Sequence, residues 1–196
     1  MIVSFLASHG GSSARYLIAA MRSGRLAAEP GILITNNRDS AIFHWCLDHD
    51  FPVRHISAKS HRGEENADEA ICTVLEEAGT DLVVCSGYMK KVGPRTLRAF
   101  QGRILNIHPA LLPRHGGKGM YGDHVHKAVL AAGDTHSGAT VHVVTDGIDE
   151  GPILLQEQVP VLPDDTLETL RARVQAVEPD LYLRAVQQFI ANATPV

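Results

Sequence analysis

The chain has 196 residues, a length that fits one domain of ordinary size. Apolar residues make up 44% and charged residues 20%, which is typical of a globular protein and excludes a disordered or fibrous class. The formal net charge of -4 argues against the basic surface expected of a nucleic-acid-binding protein.

The apolar runs and the cysteines further limit the class of protein. The longest runs, such as MIVSFLA, are too short to span a bilayer, and no charged leader with a cleavage site precedes them. Cys46, Cys72 and Cys85 are odd in number and lack CxxC spacing, which favours buried reduced thiols over disulfides or a zinc ribbon. We therefore expect a soluble cytoplasmic protein that binds neither membrane nor nucleic acid.

Short apolar runs alternate with helical patterns in the first half of the chain. In order, the predicted elements are strand MIVSFLAS, helix SARYLIAAMRSG, strand GILITNN, helix AIFHWCLDHD, strand VRHIS, helix EENADEAICTVLEEAG, strand DLVVCSGY, helix GPRTLRAF and strand RILNIHP. This alternation predicts an α/β, Rossmann-like fold with a mostly parallel sheet and helices on both faces.

The second half of the chain has a different pattern, which predicts an antiparallel C-terminal part. A glycine-rich loop, GGKGMYGD, precedes helix HVHKAVLAAG, and strands GATVHVVT and GPILLQEQVPV pair around the turn DGIDEG. The last helix is DTLETLRARVQAVEPDLYLRAVQQFI, with Asp165 and Glu168 as a start signal and Pro179 as a break or kink. Without repeats or low-complexity tracts, one domain over residues 1–196 is the simplest interpretation.

A glycine-serine loop joins the first predicted strand to the first helix, in ASHGGSSARYL. Open α/β sheets usually bind ligands at this position. Gly10 and Gly11 let the backbone approach a ligand, and the N–H groups of Ser12 and Ser13 favour an anion such as phosphate. The stretch is neither GxGxxG nor a Walker A loop, so dinucleotide and NTPase sites lose support. A tight turn with a serine N-cap is the alternative.

Asn106 and His108 stand two positions apart in the apolar run ILNIHPALLP, at the end of the fifth predicted strand. Side chains two apart in a strand share a face, so this pair is expected to project together. A carboxamide beside an imidazole suits acyl transfer, in which preorganised donors stabilise an oxyanion, and histidine can also donate a proton near neutral pH. The alternative is a pair satisfied by neighbouring backbone.

The turn TDGIDEGP places Asp146 and Asp149 in a glycine-rich loop between two predicted strands. An aspartate near His108 would orient the ring and favour its charged form. Ordinary turn chemistry explains the same residues, because aspartate and glycine populate turns for backbone reasons. Sequence spacing does not choose between the two acids.

Histidines are dense in the second half, and a metal site has to be considered. His124 and His126 are two apart on a predicted helix, so they do not face each other. The zinc-binding motif HExxH does not occur. We therefore expect no metal.

Taken together, NIHPALLP, GATVHVVTDGIDEGPIL and RVQAVE resemble the phosphoribosylglycinamide formyltransferases, the folate-dependent enzymes of purine biosynthesis. The likeness runs from FLASHGGSS to the last helix. Its most specific part is the NxHP…LLP run with the DxxDxG turn. Other 10-formyltetrahydrofolate enzymes share both motifs, so these indicate the chemistry better than the acceptor. The resemblance implies two small-molecule substrates, glycinamide ribonucleotide and the co-substrate 10-formyltetrahydrofolate, and no metal.

The resemblance also implies roles for the residues that match the family's motifs. Its catalytic asparagine, histidine and aspartate fall on Asn106, His108 and Asp149. The substrate-binding and cofactor-binding positions fall on Gly11, Ser12, Ser13, Gln175 and Glu178 and on Met89, Lys90, Lys91, Val92 and Asn106, respectively. In the implied reaction, Asn106 and protonated His108 stabilise the oxyanion, and a water near Asp149 relays a proton. His142 either supports this network or is a packed strand histidine.

Three features depart from the family's pattern. The commoner glycine-asparagine-glycine loop is HGGSS here, so phosphate contacts would be largely main-chain. An arginine that the family often carries after the third strand has no clear equivalent: Glu64 best fits its place, with Arg62 two residues earlier. The loop over residues 115–123 is longer than in many relatives, and both closure over the cofactor and a mobile surface loop stay open.

Several other functions remain as alternatives. A related formyltransferase could act on a sugar nucleotide amine or on methionyl-tRNA, although the negative charge suits tRNA poorly and a second carboxyl-terminal domain is not expected here. A formyltetrahydrofolate hydrolase would share the catalytic residues, but its extra amino-terminal domain is not expected either. A non-catalytic folate- or nucleotide-binding module is disfavoured by the intact set of catalytic residues.

Overall fold

The computed structural model describes residues 1–193 and contains the strands and helices expected from the sequence, in the expected order. The strands are β1 Ile2–Ala7, β2 Glu29–Thr35, β3 Val53–His55, β4 Leu82–Ser86, β5 Ile104–His108, β6 His136–Val143 and β7 Ile153–Pro160. The helices are α1 Ser12–Arg22, α2 Ala41–Asp48, α3 Glu64–Glu77, α4 Pro94–Ala99, α5 Asp123–Ala131 and α6 Leu167–Ala193.

The strands form one mixed sheet in the order β3-β2-β1-β4-β5-β6-β7. β1 is parallel to both of its neighbours, β2 and β4, and β2 is parallel to β3. β6 and β7 pair antiparallel, from His136 opposite Pro160 to His142 opposite Ile153. The order from β3 to β5 is that of a Rossmann-like sheet, in which the strand order reverses between β1 and β4. The predicted fold class is therefore confirmed.

The chain divides into two compact units, Met1–Leu105 and a second unit that begins at Asn106. The division falls within β5. The interpretation of residues 1–196 as one domain stays a prediction.

The first unit is built around β1 and β4, which are buried along nearly their whole length. Leu17, Ile18 and Met21 lie on the buried face of α1, because residues one turn apart share a helix face. Fully burying one such side chain stabilises the fold by about 1.5–3 kcal/mol. These contacts fix the carboxyl end of β1 and the start of α1, where the glycine-serine loop lies.

A buried aspartate of α3 caps the short helix α4. The carboxylate of Asp68 accepts hydrogen bonds from the N–H groups of Arg95 and Thr96, at 2.7 and 3.1 Å, and from the hydroxyl of Thr96 at 2.6 Å. The N-cap residue of α4 itself, Gly93, has no side chain to do this. A Cβ at Gly93 would lie 2.1 Å from Cγ of Asp68, so only glycine fits there. The cap thereby fixes the end of the segment 89–92.

In the second unit, β6 and β7 pack against α6, whose buried residues include Leu170, Val174, Tyr182 and Val186. Pro179 lies inside α6, which continues past it, so of the predicted break or kink the break is wrong. Proline removes one backbone donor, but buried apolar residues on both sides of it hold the helix against the hairpin.

The start of α6 also differs from its predicted signal. Thr166 and Thr169 form a reciprocal cap, in which the N–H of Thr166 donates to the hydroxyl of Thr169 at 2.9 Å and the N–H of Thr169 donates back at 3.4 Å. Asp165 instead receives both guanidinium nitrogens of Arg173. These bonds hold the pKa of Asp165 well below its usual range. None of the helices within residues 1–193 has the length and apolarity needed to cross a bilayer.

Candidate active site

The predicted anion-binding loop of the first unit joins the end of β1 to the start of α1. Gly11 is the N-cap of α1 and has a left-handed backbone, with φ 55°. A Cβ at Gly11 would lie 2.6 Å from Cγ1 of Ile42, so both the conformation and the packing require glycine. Ser12 is exposed and Ser13 is buried at the first turn of the helix. An exposed helix start of this kind is suited to an anion.

Main-chain and hydroxyl bonds join this loop to the end of β4. The hydroxyl of Ser8 accepts from the N–H of Met89 at 2.8 Å, and the N–H of Ser8 donates to the carbonyl of Gly87 at 3.2 Å. In the helix, the N–H of Ala14 donates to the hydroxyl of Ser86 at 3.1 Å. The ends of β1 and β4 flank the reversal point of the sheet, where ligands of such folds bind.

The segment predicted to bind the cofactor follows directly after β4. Met89, Lys90 and Lys91 are exposed, whereas Val92 is buried. Its backbone is fixed at one end by Ser8 and at the other by the Asp68 cap of α4. The segment therefore exposes the apolar side chain of Met89 and the cations of Lys90 and Lys91 on a backbone that is fixed at both ends.

A cluster of polar side chains in the second unit brings Asn106, His108 and Asp149 together through His142. Nδ1 of His108 lies 3.4 Å from Oδ2 of Asp149. Nδ2 of Asn106 lies 3.1 Å from Nε2 of His142, and Nε2 of His142 lies 3.6 Å from Oδ1 of Asp149. The period of two in β5 does place Asn106 and His108 toward the same network, as the sequence predicts.

Hydrogen bonds assign the proton on His142. Its Nδ1 lies 3.2 Å from the carbonyl oxygen of Val143, which can only accept, so Nδ1 carries the hydrogen. Nε2 is then an acceptor and receives an N–H of the Asn106 carboxamide. Burial lowers the pKa of His142 below its ordinary value, although the Val143 carbonyl and Asp149 act in the opposite direction. A neutral His142 therefore fixes which way the Asn106 amide points.

Both ring nitrogens of His108 face acceptors. Nε2 donates to the carbonyl oxygen of His115 at 2.8 Å, and Nδ1 faces the carboxylate of Asp149. The His108 side chain is 4% exposed, so little water competes for these contacts. A ring with a proton on each nitrogen satisfies both acceptors and carries a positive charge, which can stabilise a developing anion.

The turn between β6 and β7 selects Asp149 over Asp146. Asp149 has φ 59°, an unusual backbone for a residue other than glycine, and its Oδ2 accepts from the N–H of Gly117 at 3.0 Å. Asp146 is exposed. The choice that sequence spacing left open is therefore made by the shape of the turn, which aims the second acid at His108.

Gln175 and Glu178 lie three apart on α6, so they share a face of the helix. Gln175 is exposed and Glu178 is half-buried. Burial raises the pKa of Glu178 to about 7. A carboxyl group that is partly neutral at physiological pH can donate as well as accept hydrogen bonds, which suits recognition of hydroxyl groups.

Of the two residues considered in place of the family's arginine, Arg62 is exposed with φ 60°, and Glu64 is the exposed first residue of α3. Their role stays a prediction. His124 is exposed on α5, whereas His126 is buried, so the two point to different surroundings. Residues 1–193 contain no group of His, Cys, Asp and Glu arranged to hold a metal ion.

The sequence missed the main-chain groups of the loop at 115–117. The carbonyl of His115 and the N–H of Gly117 contact His108 and Asp149, respectively. Backbone groups carry no residue signature, so no motif could have identified them. The glycine pair Gly116–Gly117 was the available signal, since close backbone approach requires small residues.

Comparison with known proteins shows the family to which the chain belongs. The family model described as formyl transferase matches residues 1–186, so the chain belongs to the formyl transferase family.

Individual relatives carry a more specific name. The chain is 39% identical over 180 residues to the chloroplastic phosphoribosylglycinamide formyltransferase of Arabidopsis thaliana, covering 91% of this chain and 62% of that protein. It is 33% identical to phosphoribosylglycinamide formyltransferase of Haemophilus influenzae, covering 95% of this chain and 86% of that one. It thus spans less than two thirds of the length of the plant relative. The crystal structure of phosphoribosylglycinamide formyltransferase from Bacillus halodurans matches with a TM-score of 0.90 at 35% identity, covering 99% of this chain and 97% of that one.

Proposed function

We propose that the chain transfers a formyl group from 10-formyltetrahydrofolate to the primary amine of glycinamide ribonucleotide, as in purine biosynthesis. The observation that carries the proposal is the cluster of Asn106, His108 and Asp149, joined through His142 in a member of the formyl transferase family. The names of the relatives supply the acceptor, since the cluster itself indicates only acyl transfer.

In the proposed reaction, the neutral amine attacks the formyl carbon and its oxygen becomes an oxyanion. One N–H of Asn106 is donated to His142, and the second donates to the oxyanion. His108, charged and backed by Asp149, stabilises the same oxygen through its positive charge. Because the site is partly buried, these donors act in a low dielectric, where they contribute more than in water.

The intermediate collapses when the bond from the formyl carbon to N10 of the cofactor breaks. The amine loses one proton and N10 gains one, so a proton has to move between them. We assign this relay to a water held near Asp149. No redox step is involved, and the second product is tetrahydrofolate bearing a proton on N10.

Binding roles follow from the two loops of the first unit and from α6. We assign the ribonucleotide phosphate to Gly11, Ser12 and Ser13, because an exposed helix start favours an anion. The cofactor is assigned to the backbone and side chains of 89–92, and the ribonucleotide's polar groups to the helix face of Gln175 and Glu178. We also infer a reducing compartment, the cytoplasm, because the three thiols are buried and form no disulfide.

An amine-acceptor assay tests the proposal. Purified protein is incubated with 10-formyltetrahydrofolate and, in parallel, with glycinamide ribonucleotide, a sugar nucleotide amine or no acceptor. We expect tetrahydrofolate release only with glycinamide ribonucleotide. Release with the sugar nucleotide amine would instead indicate a related formyltransferase. Release without an acceptor would indicate a hydrolase, and binding of the folate without any release would indicate a folate-binding module.

A further inference from the structure

One loop holds both members of the His108–Asp149 pair by main-chain groups. The carbonyl of His115 accepts from Nε2 of His108 at 2.8 Å, and the N–H of Gly117, two residues later, donates to Oδ2 of Asp149 at 3.0 Å. The relative position of imidazole and carboxylate therefore depends on the conformation of residues 115–117.

That conformation is unusual at its first residue. His115 has φ 54°, in the left-handed region that a residue with a side chain rarely adopts. Such a backbone persists only where its surroundings hold it in place.

The side chain of His115 supplies the contact. Its Nε2 lies 2.6 Å from Oδ2 of Asp134, in the connection between α5 and β6. The two side chains are only 14% and 15% exposed, so water competes little for this bond. Arg114 also reaches Asp134, with 2.6 Å between its Nη2 and Oδ1 of Asp134, but its side chain is 66% exposed. Exposed ion pairs of this kind contribute little.

Tight packing on the inner side of the loop leaves it little room to absorb a shift at His115. A Cβ on Gly116 would lie 2.5 Å from Cδ2 of Leu112 and 3.3 Å from Cβ of Asp149. The loop therefore rests directly on Asp149 and on the segment that follows β5. A shift at His115 would be transmitted to both groups instead of being absorbed by a gap.

We propose that His115 is a positioning residue, whose bond to Asp134 holds the left-handed turn that orients the His108 ring. The inference rests on the proposed function in one respect, because it takes His108 as the reacting histidine. His115 acts only through its backbone carbonyl on His108 and through the adjoining Gly117 N–H on Asp149. Its side chain is bonded to Asp134.

Three substitutions separate the side-chain bond from other effects. His115→Gly removes the side chain and tolerates the positive φ, whereas His115→Ala removes the side chain and retains the backbone strain. Asp134→Ala removes the partner and leaves the loop sequence unchanged. Arg114→Ala is the matched control, because it removes the other, exposed partner of Asp134. Thermal unfolding identifies any variant that does not fold, and Asp134→Ala then tests the same bond from outside the loop.

The direct readout is the nitrogen NMR spectrum of His108 in the ligand-free protein. We expect a protected Nε2–H in the wild type and in Arg114→Ala, and loss of that protection in His115→Gly, His115→Ala and Asp134→Ala. Wild-type spectra in the folded His115 and Asp134 variants would overturn the inference. A wild-type spectrum in His115→Gly alone would also overturn it, because backbone strain would then explain the other results.

Kinetics provide the second readout. We expect kcat to fall about tenfold in the His115 and Asp134 variants, the low end of what outer partners of functional histidines contribute in metal sites. KM for both substrates should stay near wild type, because the proposal gives His115 a role only through His108 and Asp149. A rise in KM at constant kcat would contradict positioning. If wild-type protein transfers no formyl group, the proposed function fails, while the spectrum of His108 still decides the role of His115.

Discussion

The carboxamide of Asn106 donates to Nε2 of His142, with 3.1 Å between the two nitrogens. Since burial lowers the pKa of His142 and its Nδ1–H is used by the Val143 carbonyl, Nε2 stays an acceptor at neutral pH. The amide is thereby held with its nitrogen, and not its oxygen, on the side of His142. Its second N–H is then fixed as well, because the amide group is planar.

Asn106→Ala should therefore lower kcat by about 10²–10³, which is the loss typical of removing one oxyanion donor, or roughly 2.7–4 kcal/mol of barrier. His142→Ala should have a smaller effect, because it frees the amide without removing it. His142→Gln can restore an acceptor and should recover part of the loss. Steady-state kinetics of the three variants test this order. A His142→Ala enzyme with unchanged kcat would show that the Asn106 amide needs no support.

His108→Ala and Asp149→Asn should each lower turnover greatly and leave the fold intact. The first removes the cation, and the second removes the carboxylate that faces Nδ1 at 3.4 Å. Asp146→Asn is the control, because it neutralises the exposed acid of the same turn. Circular dichroism and single-turnover rates separate folding from chemistry. Wild-type-like rates in either main variant, or an equal loss in Asp146→Asn, would contradict the assignment.

Local patterns sufficed for much of this fold. Alternating apolar runs and helical spacing located the strands and helices, and the period of two in β5 placed Asn106 with His108. The order of the strands in the sheet is set by long-range pairing, which no local pattern records. Pro179 shows the limit of a local rule, because burial of residues such as Val174 and Tyr182 outweighs the lost backbone bond.

The sequence predicted the members of the candidate site that act through side chains, but not those that act through main-chain groups. Asn106, His108 and a nearby acid follow from motif and spacing, but the choice of Asp149 depends on a left-handed residue in the turn. The contacts of the His115 carbonyl and the Gly117 N–H have no counterpart in residue identity. Likewise, the pairing of His115 with Asp134 joins positions 19 residues apart, and chemistry alone does not single out that pair among many histidines and acids.

Ser12→Asp should weaken binding of glycinamide ribonucleotide, because it places a negative charge at the exposed first turn of α1, where the phosphate is proposed to bind. Ser12→Ala is the matched variant, since it removes the hydroxyl without adding charge. We expect nearly normal affinity for Ser12→Ala, because the contacts are largely main-chain. Isothermal titration calorimetry with the ribonucleotide measures both. Unchanged affinity in Ser12→Asp would argue against a phosphate at this loop.

The raised pKa of Glu178 predicts a characteristic dependence of stability on pH. Burial raises the pKa from its ordinary value of 4.5 to about 7, so between these values the folded protein holds a proton that the unfolded chain has lost. Stability falls with rising pH wherever the folded state binds more protons. Glu178 therefore weakens the fold progressively from about pH 4.5 to pH 7, and its effect is constant above that.

Glu178→Gln should remove this trend, because glutamine stays neutral throughout. Relative to the wild type, the variant should gain free energy of unfolding as pH rises from 4.5 to 7, as measured by urea denaturation at pH 4.5, 6 and 8. Glu168→Gln at the start of the same helix should do the opposite. The carboxylate of Glu168 accepts hydrogen bonds from its own N–H and from the side chain of Thr166, which lower its pKa, so its charge stabilises the fold above its unfolded pKa. Parallel curves for Glu178→Gln and the wild type would show that the carboxyl is charged in the folded protein at pH 6, and that burial does not hold its proton.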